Sequence, residues 1–118
     1  MKLFKLYIKS EFTLHHIAVM IRNVLNVNNT NTTNYQREQK RFGENYGGEY
    51  YLFEVIGLEL FLLSNKGEAL EEDFNDYEYY LMVKIKTTDD KVVFYLAEYL
   101  TLLFNSHNLK VYFPKEVM

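Results

Sequence analysis

Apolar and polar residues alternate in two segments of this 118-residue chain, the pattern of a β-strand with one buried face. In residues 2–9 the alternation places Phe4, Leu6 and Ile8 on one face and two lysines and a tyrosine on the other. Residues 79–86, which read YYLMVKIK, repeat the pattern. Both segments are therefore predicted to be strands that lie against a core on one side.

Further strands are predicted in the middle of the chain and near its end. Residues 49–65 are rich in β-branched and aromatic side chains. Gly57 is the only break in this run, so it lies either in the bend of a hairpin or in a bulge of one long strand. We favour the hairpin, with strands near 50–56 and 58–64. A short last strand is predicted over 109–113, before a proline that cannot donate to a neighbouring strand.

Two other segments carry apolar residues at steps of three and four, the spacing of one face of an amphipathic helix. The first covers residues 11–25, and Ser10 is its predicted N-cap. The second begins after Asp89 or Asp90, either of which can cap it, and Asn108 is its predicted end. Each helix therefore has one apolar stripe to bury.

The element order β-α-β-β-β-α-β determines the predicted fold class. Two helices with one apolar stripe each, and strands that mostly have one polar face, pack most economically with both helices on one face of a mostly antiparallel sheet. We therefore expect an α+β fold, a ferredoxin-like variant with an extra strand. Residues 1–118 form a single domain in this prediction. A polar mobile loop is predicted at about 27–48, which is rich in Asn, Thr and charged residues.

Composition and the first residues of the chain exclude several function classes. The absence of Cys removes disulfides, thiolate metal sites and cysteine nucleophiles. Lysines interrupt the apolar residues of the first segment, so it does not read as a signal peptide. The longest apolar stretch is far shorter than the roughly 20 residues that span a bilayer. We therefore expect a cytoplasmic protein with no membrane association.

The sequence contains no familiar catalytic, metal or phosphate motif. His15 and His16 are adjacent on the first helix, so their side chains diverge by about 100° and cannot hold one metal ion together. The serines and glycines lack the spacing of a nucleophile elbow or a phosphate loop. Residues 34–45 carry one net positive charge, too little to predict direct nucleic-acid binding. We expect no enzyme activity, metal or cofactor; a deep pocket joining either histidine to several acids would indicate otherwise.

The most unusual feature of the chain is an acidic segment, residues 68–80, which reads EALEEDFNDYEYY. It holds six of the sixteen acids, and without them ten acids would remain against thirteen Lys and Arg. Charge runs are usually solvated loops, but aromatic rings beside charge are typical of protein interfaces, and clustered acids attract a basic partner. Phe74 and one face of residues 77–80 are expected to anchor the segment on the core. The predicted partner-binding residues are Glu71, Glu72, Asp73, Asp76, Tyr77, Glu78, Tyr79 and Tyr80.

The chain resembles small immunity proteins of bacterial contact-dependent inhibition and polymorphic-toxin systems. The resemblance covers about half the chain, in GGEYYLFEVIGLELFLLSNKGE at 47–68, DYEYYLMVKI at 76–85 and the helix near the C-terminus. It implies a cytoplasmic, non-catalytic protein that binds and neutralises a cognate toxin domain. Immunity families share no catalytic signature, so no functional residue is carried over. Many such toxins are nucleases with basic clefts, which the acidic segment would complement.

A second function, from a different class, is also compatible with the sequence. The chain could be a regulatory or scaffold domain that pairs with itself through sheet edges or binds a small ligand. A stable homodimer that buries residues 79–86 or 109–113 would favour this function over toxin binding.

Overall fold

The computed structural model describes residues 2–26, 50–55, 57–66 and 71–114. The loop predicted at about 27–48 lies outside these residues, as does the beginning of the acidic segment. The described elements, in chain order, are β1 (Lys2–Lys9), α1 (Leu14–Leu25), β2 (Tyr50–Val55), β3 (Leu58–Ser64), a 3-10 helix (Glu72–Phe74), β4 (Tyr79–Ile85), α2 (Asp90–Ser106) and β5 (Lys110–Tyr112).

The five strands form one open antiparallel sheet in the order β2-β3-β4-β1-β5. Without β2, the order β3-β4-β1-β5 is that of the ferredoxin-like split βαβ arrangement, and β2 extends it at one edge. The register places Leu6 opposite Leu81 and Leu81 opposite Leu62, so apolar residues of three neighbouring strands share a face. The predicted α+β class and the extra strand are confirmed.

Both helices pack on the face of the sheet that carries these leucines. Ile17 and Ile21 of α1, and Ala97 and Leu100 of α2, belong to the same buried cluster as the strand residues of this face. The prediction of two helices on one face, each with one apolar stripe in the core, is therefore confirmed. No helix in the described ranges is both long and apolar enough to cross a membrane.

Helix α1 begins later than predicted, and Ser10 is not its cap. The N-cap is Thr13, whose Oγ1 accepts a hydrogen bond from the N–H of His16 at 3.1 Å. Ser10 instead accepts from the N–H of Phe12 at 3.0 Å, because residues 10–12 form a separate turn between β1 and α1. Ser10 and Thr13 can both cap a helix, and because of the turn at residues 10–12 the helix begins only after Thr13.

The boundaries predicted at Gly57 and around α2 are confirmed. Gly57 has φ +76° and lies between β2 and β3, which pair as a hairpin. Asp89 caps α2, since its carboxylate accepts from the N–H of Lys91 at 2.9 Å. Asn108 follows the end of α2 in the left-handed conformation, with φ 69°.

The other face of the sheet carries a second, smaller apolar cluster. It consists of buried side chains from four strands, with Tyr7 and Tyr80 at its centre. Strand alternation predicted that these two tyrosines share a face with lysines, and the structure agrees. Both rings are nonetheless buried, because residues 71–78 fold back across them.

Candidate functional site

Asn65, at the end of β3, holds the described part of the acidic segment against the sheet. Its side-chain Nδ2 donates to the carbonyl oxygens of Phe74 and Tyr77, each at 3.0 Å, and its Oδ1 accepts from the N–H of Glu71 at 2.7 Å. Its own N–H donates to the carbonyl of Glu78 at 3.0 Å. One buried amide therefore fixes both ends and the middle of the segment.

This role of Asn65 was not predicted from the sequence. Asn is common in turns because its side chain bonds to nearby backbone, so the residue type was an available signal. The partners lie six to thirteen positions further along the chain, from Glu71 to Glu78, and no local pattern identifies them.

Aromatic rings from the acidic segment cover the second cluster. The ring of Phe74 stacks on that of Tyr7, with centroids 4.1 Å apart, and Tyr77 stacks on Tyr112 at 5.9 Å. Tyr80 lies beside Tyr7, with centroids 6.0 Å apart. The prediction that Phe74 anchors the segment on apolar side chains is confirmed.

The three tyrosines predicted to supply contact area lie in different environments. Tyr80 is 2% exposed within the second cluster. Tyr79 is half-buried and lies against the helix-side core, and its hydroxyl donates to the carbonyl of Phe12 at 2.5 Å. Tyr77 is half-buried above the second cluster. A partner could therefore reach parts of Tyr77 and Tyr79, whereas the ring of Tyr80 is inaccessible.

Two of the predicted acids contact lysines of β1. Glu71 forms an ion pair with Lys5, and both side chains are about two-thirds buried. Glu78 lies 3.8 Å from the Nζ of Lys9, and its carboxylate also accepts from the N–H of Ser10 at 2.7 Å. These two carboxylates hold the acidic segment on the sheet and are compensated within the molecule.

The three remaining acids form what we call the acidic surface, defined as the carboxylates of Glu72, Asp73 and Asp76. All three residues are exposed, on the 3-10 helix and in the turn that follows it. Among the described residues, no hydrogen bond or ion pair involves these carboxylates. Five consecutive positions therefore present three carboxylates to solvent that have no side-chain partner in the described ranges, although the Nζ of Lys9 donates to the backbone carbonyl of Asp76.

The negative potential of this region affects the tyrosine below it. Burial, and then the charges of Glu71 and Asp73, raise the pKa of Tyr7 to about 12. Burial and the neighbouring Glu78 also raise the pKa of Tyr79. Both shifts arise because a phenolate would be poorly hydrated and close to carboxylates, so both phenols stay protonated at physiological pH.

A groove of about 500 Å³ borders the acidic segment where β4 begins. The ring of Phe12 is half exposed there and stacks on His16, with centroids 4.2 Å apart. Phe12 was not predicted to take part in a site, because it lies off the apolar stripe of the helix predicted over residues 11–25. The residues that line the groove are Lys9, Ser10, Glu11, Phe12, Glu78, Asn108 and Lys110.

The described ranges bring together no cluster of three or more His, Asp and Glu side chains that could hold a metal ion. The ring of His15 lies 3.1 Å from the hydroxyl of Tyr51, and neither His15 nor His16 lines the groove. The arrangement is suited to electrostatic contact with another molecule. Comparison with protein-family models, with curated proteins and with solved structures finds no match for this chain.

Proposed function

We propose that this protein is a non-catalytic immunity protein that acts in the cytoplasm and neutralises a cognate bacterial toxin domain, a basic nuclease. The acidic surface binds the toxin. The observation that carries the proposal is that Glu72, Asp73 and Asp76 are exposed, with carboxylates that no described side chain pairs, in a segment that Asn65 fixes in place.

Fixing the segment before binding matters energetically. A loop that orders only on binding costs conformational entropy, roughly 0.5–1.5 kcal/mol for each immobilised side chain. Glu71 and Glu78 are already held by Lys5 and Lys9 in the free protein. The acidic surface therefore meets its partner with less of this cost.

Three exposed carboxylates within five consecutive positions also favour a specific kind of partner. Nuclease clefts are basic because they hold phosphates, and like an oligonucleotide the acidic surface presents closely spaced negative charges. Complementary charge speeds association at low salt more than it strengthens the final complex. The exposed edge of Tyr77, on the same face of the sheet, adds apolar contact area to the acidic surface.

The proposal implies a toxin gene beside this one, and the test uses the toxin domain that such a neighbouring gene encodes. Association is measured by stopped flow at about 20 mM and 300 mM salt. Charge reversals Asp73→Lys and Asp76→Lys are each compared with Glu54→Lys, which makes the same charge change at an exposed site on β2. We expect each reversal in the acidic surface to slow association about three- to tenfold at low salt, and much less at high salt.

The matched control is expected to change the rate less than about twofold. Equal effects of Asp73→Lys, Asp76→Lys and Glu54→Lys on the association rate would contradict a localised binding site. Unchanged association and unchanged protection of cells by the triple reversal of Glu72, Asp73 and Asp76 would refute the proposed function. That result would favour the alternative proposal, a regulatory or scaffold domain.

A further inference from the structure

Helix α2 carries a second apolar stripe on its outer face, which we call the outer stripe. Its members are Val92, Tyr95, Tyr99 and Leu102, which are 42, 70, 60 and 70% exposed. Steps of three, four and three place these residues in a row along the helix, as at the a and d positions of a coiled coil. The core-facing residues of α2, including Val93 and Ala97, form a separate row. A surface helix of a monomer ordinarily has one apolar face.

The outer stripe is large enough to form the centre of an interface. An aromatic side chain offers roughly 150–250 Å² of surface, so Tyr95 and Tyr99 at these exposures present about 100–150 Å² each. Val92 and Leu102 raise the stripe to about 400 Å², within the range of roughly 300–600 Å² of the largest apolar patch on a typical monomer, a patch that is often functional. A dimer interface of standard size buries about 800 Å² on each partner, about half of which the stripe would supply.

The charged residues of α2 near the outer stripe indicate what kind of surface covers it. Lys91 and Glu98 are the charged residues of α2 beyond Asp90, so the helix surface offers one charge of each sign there. Asp90 itself lies 3.0 Å from the Nζ of Lys2. Interface centres are depleted of charge, and a stripe with no net charge selects no strongly charged partner. A second copy of the same stripe meets these requirements.

We propose that two copies of this chain pair through the outer stripe, with their α2 helices antiparallel. A two-fold axis near the middle of the stripe would place Val92 opposite Leu102 of the second copy, and Tyr95 opposite Tyr99. Aliphatic pairs would then flank two aromatic pairs, and each helix N-terminus would lie near the C-terminal end of the other, a favourable arrangement of helix dipoles.

The inference is independent of the proposed function. Helix α2 covers one face of the sheet, and the acidic segment covers the other. Pairing through the outer stripe therefore leaves both copies of the acidic surface exposed, on opposite sides of the dimer. The proposals of toxin binding and of self-association can therefore be tested separately, and either can be refuted without the other.

Sedimentation equilibrium of the full chain at about 5–200 µM tests the pairing. We expect a dimer, and we expect Leu102→Lys and Val92→Glu each to raise its dissociation constant at least about tenfold. Leu3→Glu is the matched control, because Leu3 is an exposed leucine on β1, and it should leave the dimer intact. Circular dichroism checks that each variant is folded.

An equimolar mixture of the two stripe variants tests the orientation. In the antiparallel dimer the introduced lysine faces the introduced glutamate of the other chain, so the mixture is expected to form a heterodimer that neither variant forms alone. A wild-type monomer at every concentration would overturn the proposal, as would a dimer that Leu102→Lys does not weaken. Failure of the folded variants to pair in the mixture would overturn the antiparallel arrangement.

Discussion

Replacing Asn65 by Ala should release the acidic segment from the sheet. The side chain makes three hydrogen bonds, at 2.7, 3.0 and 3.0 Å, all to backbone groups of the segment. Each such bond contributes about 1 kcal/mol net, and the groups left behind are partly buried and incompletely hydrated. The free energy of unfolding should therefore fall by about 2–3 kcal/mol.

Urea unfolding measures this loss, and hydrogen exchange identifies where it acts. The N–H of Phe74 donates to the carbonyl of Glu71 at 2.9 Å, and the N–H of Tyr77 donates to the carbonyl of Phe74 at 3.0 Å. In Asn65→Ala both amides should exchange faster than the amides of β4, because the segment opens without unfolding the sheet.

The matched control is Asn75→Ala, the same substitution at an exposed position in the same segment. It should change the free energy of unfolding by less than about 0.5 kcal/mol. A loss below about 1 kcal/mol in Asn65→Ala, or equal losses in both variants, would refute the assignment of Asn65 as the residue that fixes the segment.

Asn65→Asp separates hydrogen bonding from shape. The variant keeps the acceptor for the N–H of Glu71 but places an oxygen against the carbonyls of Phe74 and Tyr77. Those carbonyls disfavour the carboxylate and raise its pKa in the folded state. The loss of stability relative to the native protein should therefore be smallest below about pH 3.9, and should grow as the pH rises through the folded-state pKa.

Three smaller perturbations test the same region. Phe74→Ala removes the ring stacked on Tyr7 and should lower the free energy of unfolding by about 1–2 kcal/mol in urea titrations, with faster exchange confined to the segment. Glu71→Gln breaks the partly exposed ion pair with Lys5 and should cost about 0.5 kcal/mol, less in 1 M salt. Because the pKa of Tyr7 is raised to about 12, its protonated form stabilises the fold below about pH 10, and this stability is lost as the pH rises to about 12. Tyr7→Phe should therefore reduce the loss of stability over this pH range. Absorbance at 295 nm should show one tyrosine fewer titrating near pH 12 in the variant.

Periodicity explains why the fold was predictable. A period of two fixes which side of β1 and β4 packs against the helices, and a period near 3.6 fixes the inner face of α2, because each element has only one way to place those side chains in the larger core. Gly57 could be assigned to a hairpin because two apolar runs flank a residue that tolerates positive φ. These inferences depend on neighbours within a few positions.

The role of each acid was not predictable, because it depends on distant partners. Glu71 and Glu72 are adjacent and chemically identical, yet the first pairs with Lys5, 66 positions away, and the second is exposed. The way Asn65 holds the segment across β1 determines which carboxylates lie above lysines. The outer stripe was missed for a different reason. The inner face of α2 already supplies the one apolar stripe that a surface helix needs to pack on a core, so the periodicity gave no reason to expect a second stripe.

The acidic segment contains residues that attach it to the sheet and residues that are exposed to solvent, which explains why its composition mixes aromatic rings with carboxylates. Phe74 and Tyr77 face the sheet and contribute burial, whereas Glu72, Asp73 and Asp76 face solvent and repel one another at low salt. Attachment through Asn65 offsets that repulsion in the free protein. A basic partner would relieve it, so binding through the acidic surface should raise the stability of the segment as well as occupy it. Protection of the amides of Phe74 and Tyr77 from exchange should therefore increase in the complex, and unchanged protection would place the contact elsewhere on the molecule.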